Sequence, residues 1–157
     1  MLSTEASKRT YAAIKDQLDS GKPFVIAPQG SSMFPFIIAG RDRIQITPTA
    51  SCGLPRRGDI VLYRRDDGLL VLHRMHRKKC DGYYFTGDNQ TEIEGPLAEE
   101  QLLGIATRII RHNKSFSPSQ PLFWIAGRLW LFVRPFRHVI SPRAKKLLIF
   151  LHIYKER

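Results

Sequence analysis

Residues 58–76 read GDIVLYRRDDGLLVLHRMH, two apolar runs on either side of a charged stretch. The runs DIVLYR (59–64) and LLVLHRMH (69–76) are rich in aliphatic and β-branched residues, which is typical of strands. The RRDDG segment (64–68) that joins them ends in glycine and has the composition of a hairpin loop. This stretch therefore predicts two strands paired antiparallel through a short loop.

The same pattern of short apolar runs separated by turn residues extends over residues 22–112. Further short apolar runs are separated by Pro, Gly, Asp and Asn: PFVIAP (23–28), DRIQIT (42–47), YYFTG (83–87) and LLGIATRIIR (102–111). Closely spaced runs of this kind predict an antiparallel, meandering sheet or a small barrel. We therefore expect residues 22–112 to form one mainly β domain of an α+β chain.

Both ends of the chain carry helical patterns. In residues 1–21, Thr4 can cap an amphipathic helix over residues 4–20, and Gly21 can end it. A polar break, NKSFSPSQP, opens the C-terminal segment (113–157), which we assign to a linker and basic, aromatic-rich helices. Ser141 followed by Pro142 predicts the start of the last of these helices.

The basic charge of the protein is concentrated in this tail. The chain of 157 residues has a net charge of +11, and residues 121–157 contribute eight basic residues and one acidic residue. Tryptophan, phenylalanine and arginine alternate there, as in helices that lie in an anionic membrane surface. We expect residues 122–157 to bind such a surface, with packing onto the body or onto a second copy as the alternative.

The sequence predicts a cytoplasmic protein or a peripheral membrane protein. Its N-terminus, MLSTEASKRT, lacks the apolar core of a secretory signal. Arg128, Arg134 and Pro135 interrupt the apolar runs of the tail, and prolines interrupt residues 23–40. We therefore expect no transmembrane helix, because a span needs about 20 apolar residues.

The cysteines and histidines do not suggest a metal site. Cys52 and Cys80 suit neither a zinc ribbon nor a disulfide framework, and we expect reduced thiols, although a single bridge remains open. His73 and His76 lie three residues apart on a predicted strand, so their side chains point to opposite faces. No cofactor or metal is predicted.

The stretch GSSMFP (30–35) offers two serines, Ser31 and Ser32, either as a nucleophile or as parts of a polar bend. A serine hydroxyl needs a neighbouring base. Strand alternation places His73 on one face with Val71 and Met75, where partial desolvation favours a neutral, proton-accepting imidazole. The alternative is a histidine at the edge of the core, bonded to a backbone carbonyl.

A third group should orient the base, as in a catalytic triad. The segment FTGDNQTEIEG (85–95) offers Asp88, Glu92 and Glu94. Asp88 lies between Gly and Asn, so a turn carboxylate that accepts hydrogen bonds from nearby amides is the structural alternative for it.

In their order along the chain, these segments resemble the conserved boxes of type I signal peptidases. GSSMFP resembles the serine box G-x-S-M-x-P, and GRDRIQI and RRGDIVLYR resemble the next two strands. LVLHRM resembles the box of the general base, FTGDNQTEIE the G-D-N box, and LLGIATRII the final strand. The resemblance covers residues 25–110 and implies the antiparallel β fold shared by signal peptidases and LexA-type peptidases.

The resemblance also implies roles for individual residues. Ser32 is the nucleophile, and the backbone of Gly30, Ser31 and Ser32 forms the oxyanion hole. His73 is the general base, where most bacterial signal peptidases and the LexA type have lysine; this is similar to the enzymes of archaea, endospore-formers and the endoplasmic reticulum. The orienting acid falls at Glu94, where those enzymes have Asp, and Asp88 is the alternative.

By this resemblance the protein is a serine endopeptidase that cleaves extended peptides or precursor proteins with small residues before the cut. The family's N-terminal membrane anchor is not evident here. A degenerate peptide- or membrane-binding module of the same fold is one alternative. A LexA-like self-cleaving regulator is another, but we do not expect nucleic-acid binding, because no helix-turn-helix pattern precedes residue 25. The oligomeric state stays open.

Overall fold

The computed structural model describes the backbone of residues 4–10 and the whole of residues 11–112, 114–137 and 146. The helices are α1 (Thr4–Asp19), α2 (Thr49–Cys52) and α3 (Pro121–Phe132), with 3-10 turns at Glu99–Gln101 and Arg134–Phe136. The strands are β1 (Phe24–Ile26), β2 (Asp42–Pro48), β3 (Ile60–Arg64), β4 (Leu70–Lys79), β5 (Gly82–Thr86), β6 (Glu94–Leu97), β7 (Leu102–Arg111) and β8 (Lys114–Phe116).

All eight strands belong to one antiparallel sheet. Its order is β1-β2-β7-β3-β4-β5-β6, and β8 pairs with β7. The predicted hairpin is confirmed, because β3 pairs with β4 from Ile60 opposite Arg74 to Arg64 opposite Leu70. The sheet meanders only from β3 to β6. The last long strand, β7, lies between β2 and β3 and joins the two halves of the sheet.

The central strand β3 is buried on both faces. Ile60 and Leu62 pack into a core with β1, β2, β7 and the partly buried face of α1. Val61 and Tyr63 point the other way, into a second core with β4, β5 and β6. Successive side chains of a strand alternate between its faces, so this one short strand supplies both cores.

The charged segment RKKCDG (77–82) is mostly strand, because β4 continues to Lys79 and only Cys80 and Asp81 remain for the turn to β5. The basic side chains here are accommodated because they lie over aromatic rings, with Lys78 above Tyr83 and Lys79 above Tyr84. Such cation–π contacts stabilise an exposed basic strand.

Helix α3 packs back onto the sheet. Phe123 lies against the first core, and Leu131 is buried. Gly127 packs so closely on the Arg74 guanidinium that a Cβ there would lie 2.6 Å from Nη1. Within the described residues, no helix combines the length and the apolar character needed to cross a membrane. The helix predicted after Ser141 lies outside the described residues, apart from Lys146.

Candidate active site

The GSSMFP segment forms a tight turn at the mouth of a cavity. Gly30 has φ of 74°, a left-handed conformation that glycine adopts without strain, and it leads into exposed Ser31 and half-buried Ser32. The next two residues, Met33 and Phe34, are buried in the core and anchor the turn to it. The backbone N–H groups of Ser31 and Ser32 donate no hydrogen bond within the described residues.

The turn after β5 is fastened directly to this serine turn. The N–H of Asn89 donates a hydrogen bond of 2.7 Å to the carbonyl oxygen of Ser32. Gly87 lies equally close, because a Cβ at this position would come within 2.7 Å of the same oxygen. The GDN segment therefore sets the position of the backbone that carries Ser32.

His73 is a buried base on β4. His73 is 3 % exposed, and it lies on the same face of β4 as the buried Val71 and Met75, as the alternation of side chains along the strand predicted. Burial lowers the pKa of His73 to about 4, although the charge of Glu94 acts in the opposite direction. The imidazole is therefore neutral at pH 7 and can accept a proton.

Glu94 is the carboxylate beside His73, but it does not touch the ring. Its Oε2 lies 3.9 Å from His73 Nδ1, beyond hydrogen-bond reach. The hydroxyl of Tyr63 lies between them, 3.0 Å from Nδ1 and donating to Oε2 at 2.8 Å. Burial by itself raises the pKa of Glu94, but hydrogen bonds from Arg65 and Tyr63 outweigh it and hold this pKa below its usual value.

Arg65 forms a two-point ion pair with Glu94 on the solvent-exposed side of the carboxylate. Its Nε and Nη2 each donate to one carboxylate oxygen, with Nη2 at 2.6 Å from Oε2. A two-point contact of this kind fixes the plane of the carboxylate as well as its charge. The side chains are only partly exposed, 35 % for Arg65 and 26 % for Glu94.

Asp88, the other candidate for the orienting acid, is committed elsewhere. It is fully buried, and its two oxygens accept hydrogen bonds from Arg74 at 2.8 and 2.7 Å. Arg74 is itself buried and also donates to the carbonyl oxygen of Gly58. This buried ion pair locks the GDN turn to β4, next to the base, while Glu92 is exposed.

Side chains of α3 and of the turn that follows it hold the same GDN turn in place. The indole N–H of Trp130 donates to the carbonyl oxygen of Asp88 at 2.6 Å. Arg137 donates to the carbonyl oxygens of Gly87 and Gln90, at 2.7 and 2.8 Å, and Arg134 donates to that of Thr91. Burial lowers the pKa of Arg137 to about 10, which still leaves it charged at neutral pH.

Ser32 and His73 line one cavity of about 650 Å³. Its polar lining includes Gly30, Gln90 and Arg65, and most of the remaining wall is apolar and comes from α1, β1, β3 and β4. His73 Nε2 has no hydrogen-bond partner among the described residues, yet it is not sealed from solvent. No hydrogen bond joins it to Ser32 Oγ within this part of the chain.

The structure thus brings Ser32, His73 and Glu94 to one site and gives Asp88 a supporting position behind it. Sequence reasoning missed Tyr63 and Arg65. The hairpin register offered a signal for Tyr63, because Val61 lies opposite His73 and Tyr63 is two residues further along the same face. Such diagonal neighbours are within reach of an aromatic side chain.

The chain matches no known protein-family model, and no curated protein sequence matches it.

Proposed function

We propose that this protein is a serine endopeptidase of the signal-peptidase type, with the fold of signal peptidases and LexA-type peptidases. One observation carries the proposal: Ser32 and the accessible Nε2 of a neutral His73 line the same cavity, while the opposite nitrogen of that imidazole is linked to a carboxylate. A nucleophile and a base in one cavity, with an acid linked to the base, are the requirements of acyl transfer.

In the proposed reaction, His73 Nε2 takes the proton of Ser32 as its Oγ attacks the peptide carbonyl. The free N–H groups of Ser31 and Ser32 stabilise the oxyanion, and Gly30 gives the turn its shape. His73 then returns the proton to the leaving amine, which breaks the peptide bond and leaves an acyl-enzyme. Water, deprotonated by the same imidazole, hydrolyses the ester and restores Ser32.

The substrate we propose is an extended peptide or precursor protein with small or apolar side chains. Strand β1 pairs only with β2 among the described strands, and β5 pairs with β4 only from Arg74 onward. The cavity therefore lies beside strand edges, where a peptide can add as a further strand. Its wall includes Ile26, Met33 and Leu72, which suit apolar side chains.

A fluorophosphonate probe tests this function, because it forms a covalent bond only with an activated serine. We expect the full-length protein to be labelled, and to cleave a library of extended peptides, while Ser32→Ala and His73→Gln abolish both signals. Ser31→Ala is the matched control, because it removes the neighbouring hydroxyl and retains the backbone. Labelling that survives Ser32→Ala would contradict the proposed nucleophile.

A second candidate is a peptide-binding module that has lost catalysis. It is favoured by the lack of a hydrogen bond between Ser32 Oγ and His73 within the described residues. In catalytic sites without substrate this bond is often long, and it forms in the complex. The two functions separate in one experiment: a binding module retains peptides of the library without turnover, and Ser32→Ala leaves that binding unchanged.

For a partner surface, we propose that the outer face of α3 and the following turn bind an anionic membrane. This outer face consists of exposed apolar side chains at helical spacing: Leu122, Ile125, Leu129, Phe132 and Phe136. Arginines flank it, with Arg128 over Trp124 and Arg57 over Phe132. Residues 121–137 include no acidic side chain, which suits a negatively charged bilayer.

A further inference from the structure

Among the described residues, Tyr63 is the only one that forms hydrogen bonds with both the base and the acid. Its Oη lies 3.0 Å from His73 Nδ1 and 2.8 Å from Glu94 Oε2, whereas the two titratable groups are 3.9 Å apart. Tyr63 is fully buried and its ring stacks on Phe85, with the centroids 4.8 Å apart. Its hydroxyl therefore has a fixed position between the two groups.

The direction of each hydrogen bond follows from counting protons. A phenol has one proton to donate, and an ionised carboxylate can only accept. Glu94 is ionised because Arg65 donates two hydrogen bonds to it, so the phenol proton points to Glu94. The Tyr63 oxygen is then an acceptor towards His73, and Nδ1 has to carry the ring proton in order to bond to it.

We propose that Tyr63 is a positioning residue, whose hydroxyl passes the orienting effect of Glu94 to His73 and holds the imidazole as the Nδ1–H tautomer. This leaves the lone pair on Nε2, the nitrogen that Tyr63 does not bond, on a ring that lines the same cavity as Ser32. The catalytic consequence rests on the proposed function, but the tautomer is a property of the protein in the absence of substrate. The hydrogen bond made by one ring nitrogen decides which tautomer a histidine adopts.

During the proposed reaction no proton passes to Glu94. His73 Nε2 receives the proton of Ser32, and the resulting imidazolium still donates through Nδ1 to Tyr63. The phenol dipole, oriented by the charge of Glu94, stabilises that cation. Tyr63 stays protonated throughout, because burial and then the negative charge of Glu94 raise its pKa far above neutral pH.

Nitrogen-15 NMR of the histidine rings in the full chain at pH 7 tests the tautomer directly, with His73→Gln used to assign the His73 signals. We expect a protonated Nδ1 and an unprotonated Nε2 in the wild type. Tyr63→Phe retains the ring on Phe85 and removes the hydroxyl, so we expect a shift towards the Nε2–H tautomer. A wild-type His73 protonated on Nε2 would overturn the proposal, whether or not the variant folds well.

Tyr83→Phe is the matched control. Tyr83 is also buried in the second core, but its hydroxyl is 3.5 Å from Glu99 and remote from the base. We expect this variant to retain the wild-type signals of His73. If Tyr63→Phe likewise leaves them unchanged, Tyr63 has only a packing role and the proposal fails.

Kinetics separate this proposal from the proposed function. We expect Tyr63→Phe to lower kcat by about 10²-fold, the lower end of the contribution of a general base, and to leave KM unchanged, since Tyr63 does not line the cavity. Glu94→Gln should retain the Nδ1–H tautomer, because its amide oxygen can still accept from Tyr63. If Ser32 is never labelled, the peptidase proposal fails, while the NMR result still decides the role of Tyr63.

Discussion

At the scale of single residues, the unusual property of His73 is that it is both buried and close to a negative charge. Burial removes the water that would solvate an imidazolium, and this effect exceeds the attraction of Glu94, so the pKa falls to about 4. An exposed histidine has a pKa near 6.5 and would be partly protonated in mildly acidic solution. His73 therefore remains a usable base well below neutral pH.

This gives a pH prediction for the proposed reaction. Activity should be lost as the pH falls through about 4, because protonation of His73 removes the lone pair that accepts the serine proton. This loss of activity at acidic pH can be followed as the rate of fluorophosphonate labelling between pH 3.5 and 8. His76→Gln should not change the pH at which labelling is lost. A loss of labelling near the ordinary pKa of histidine would contradict the assignment of a buried His73 as the base.

The residues of the candidate site were predictable from sequence only where their side chains are of chemically reactive types. Ser32, His73 and Glu94 could be proposed because each is reactive in itself and stands in a distinctive segment. Tyr63 is indistinguishable from a core aromatic until the register of the hairpin is known. Arg65 lies in a stretch read as a hairpin loop, and nothing local indicates that it reaches Glu94, 29 residues away.

At the scale of elements, α3 has two different faces. Its inner face supports the GDN turn through Trp130, and its outer face is the apolar surface defined above. The sequence pattern predicted amphipathic helices here, but a single apolar-rich helix cannot show which side meets the body. The short strands β6 and β8 were not predicted at all, because a Gly-Pro pair and only three residues, respectively, give no alternating pattern.

The supporting role of α3 can be measured by hydrogen exchange. Trp130→Phe retains an aromatic ring next to Phe36 and removes the donor to Asp88, which leaves a carbonyl oxygen without its partner. Such a loss costs about 1–3 kcal/mol, so we expect the Asn89 amide, which is bonded to Ser32, to exchange at least about fivefold faster. The exchange rate is followed by NMR or mass spectrometry.

Trp124→Phe provides the comparison for this experiment. Trp124 lies on the same helix, is 39 % exposed and stacks with Arg128 rather than with the GDN turn. Its substitution should leave Asn89 protected. Equal exchange in the two variants would mean that α3 does not brace the site.

At the scale of the whole molecule, the sequence indicated an antiparallel β protein with a helix at the N-terminus, and the structure agrees. The strand order could not be predicted, because β7 pairs with β2 and β3, whose paired residues lie about 40–70 residues earlier in the chain. The local sequence pattern does not predict such pairings, because contacts between segments far apart in the sequence depend on the packing of the complete core.

The charge of the whole protein leads to a prediction on membranes. With a net charge of +11, the chain should bind vesicles that contain phosphatidylglycerol and ignore neutral phosphatidylcholine vesicles, and added salt should weaken the binding. Replacing Leu129 and Phe132 by serine removes apolar area worth about 1.5–3 kcal/mol each, so we expect at least about a tenfold loss of affinity in co-sedimentation.

Leu54→Ser is the control for this experiment, because Leu54 is an exposed apolar residue that does not belong to α3. It should bind vesicles as the wild type does. If the double variant still binds vesicles but converts a dimer into a monomer in gel filtration, the outer face of α3 is a contact between two copies, and the membrane proposal is wrong.

Two glycines of the site will tolerate natural variation very differently. Gly30 is required for its backbone, because its φ is left-handed while a Cβ would meet nothing within 4 Å. Asn and Asp, which adopt this conformation more readily than other residues, are therefore the replacements that relatives should show. Gly87 is required for its lack of volume, with the Ser32 oxygen and the Gln90 side chain both 2.7 Å from an added methyl group. Gly30 can therefore be replaced by a small choice of residues, whereas Gly87, which lies against the backbone of Ser32, the proposed nucleophile, cannot be replaced.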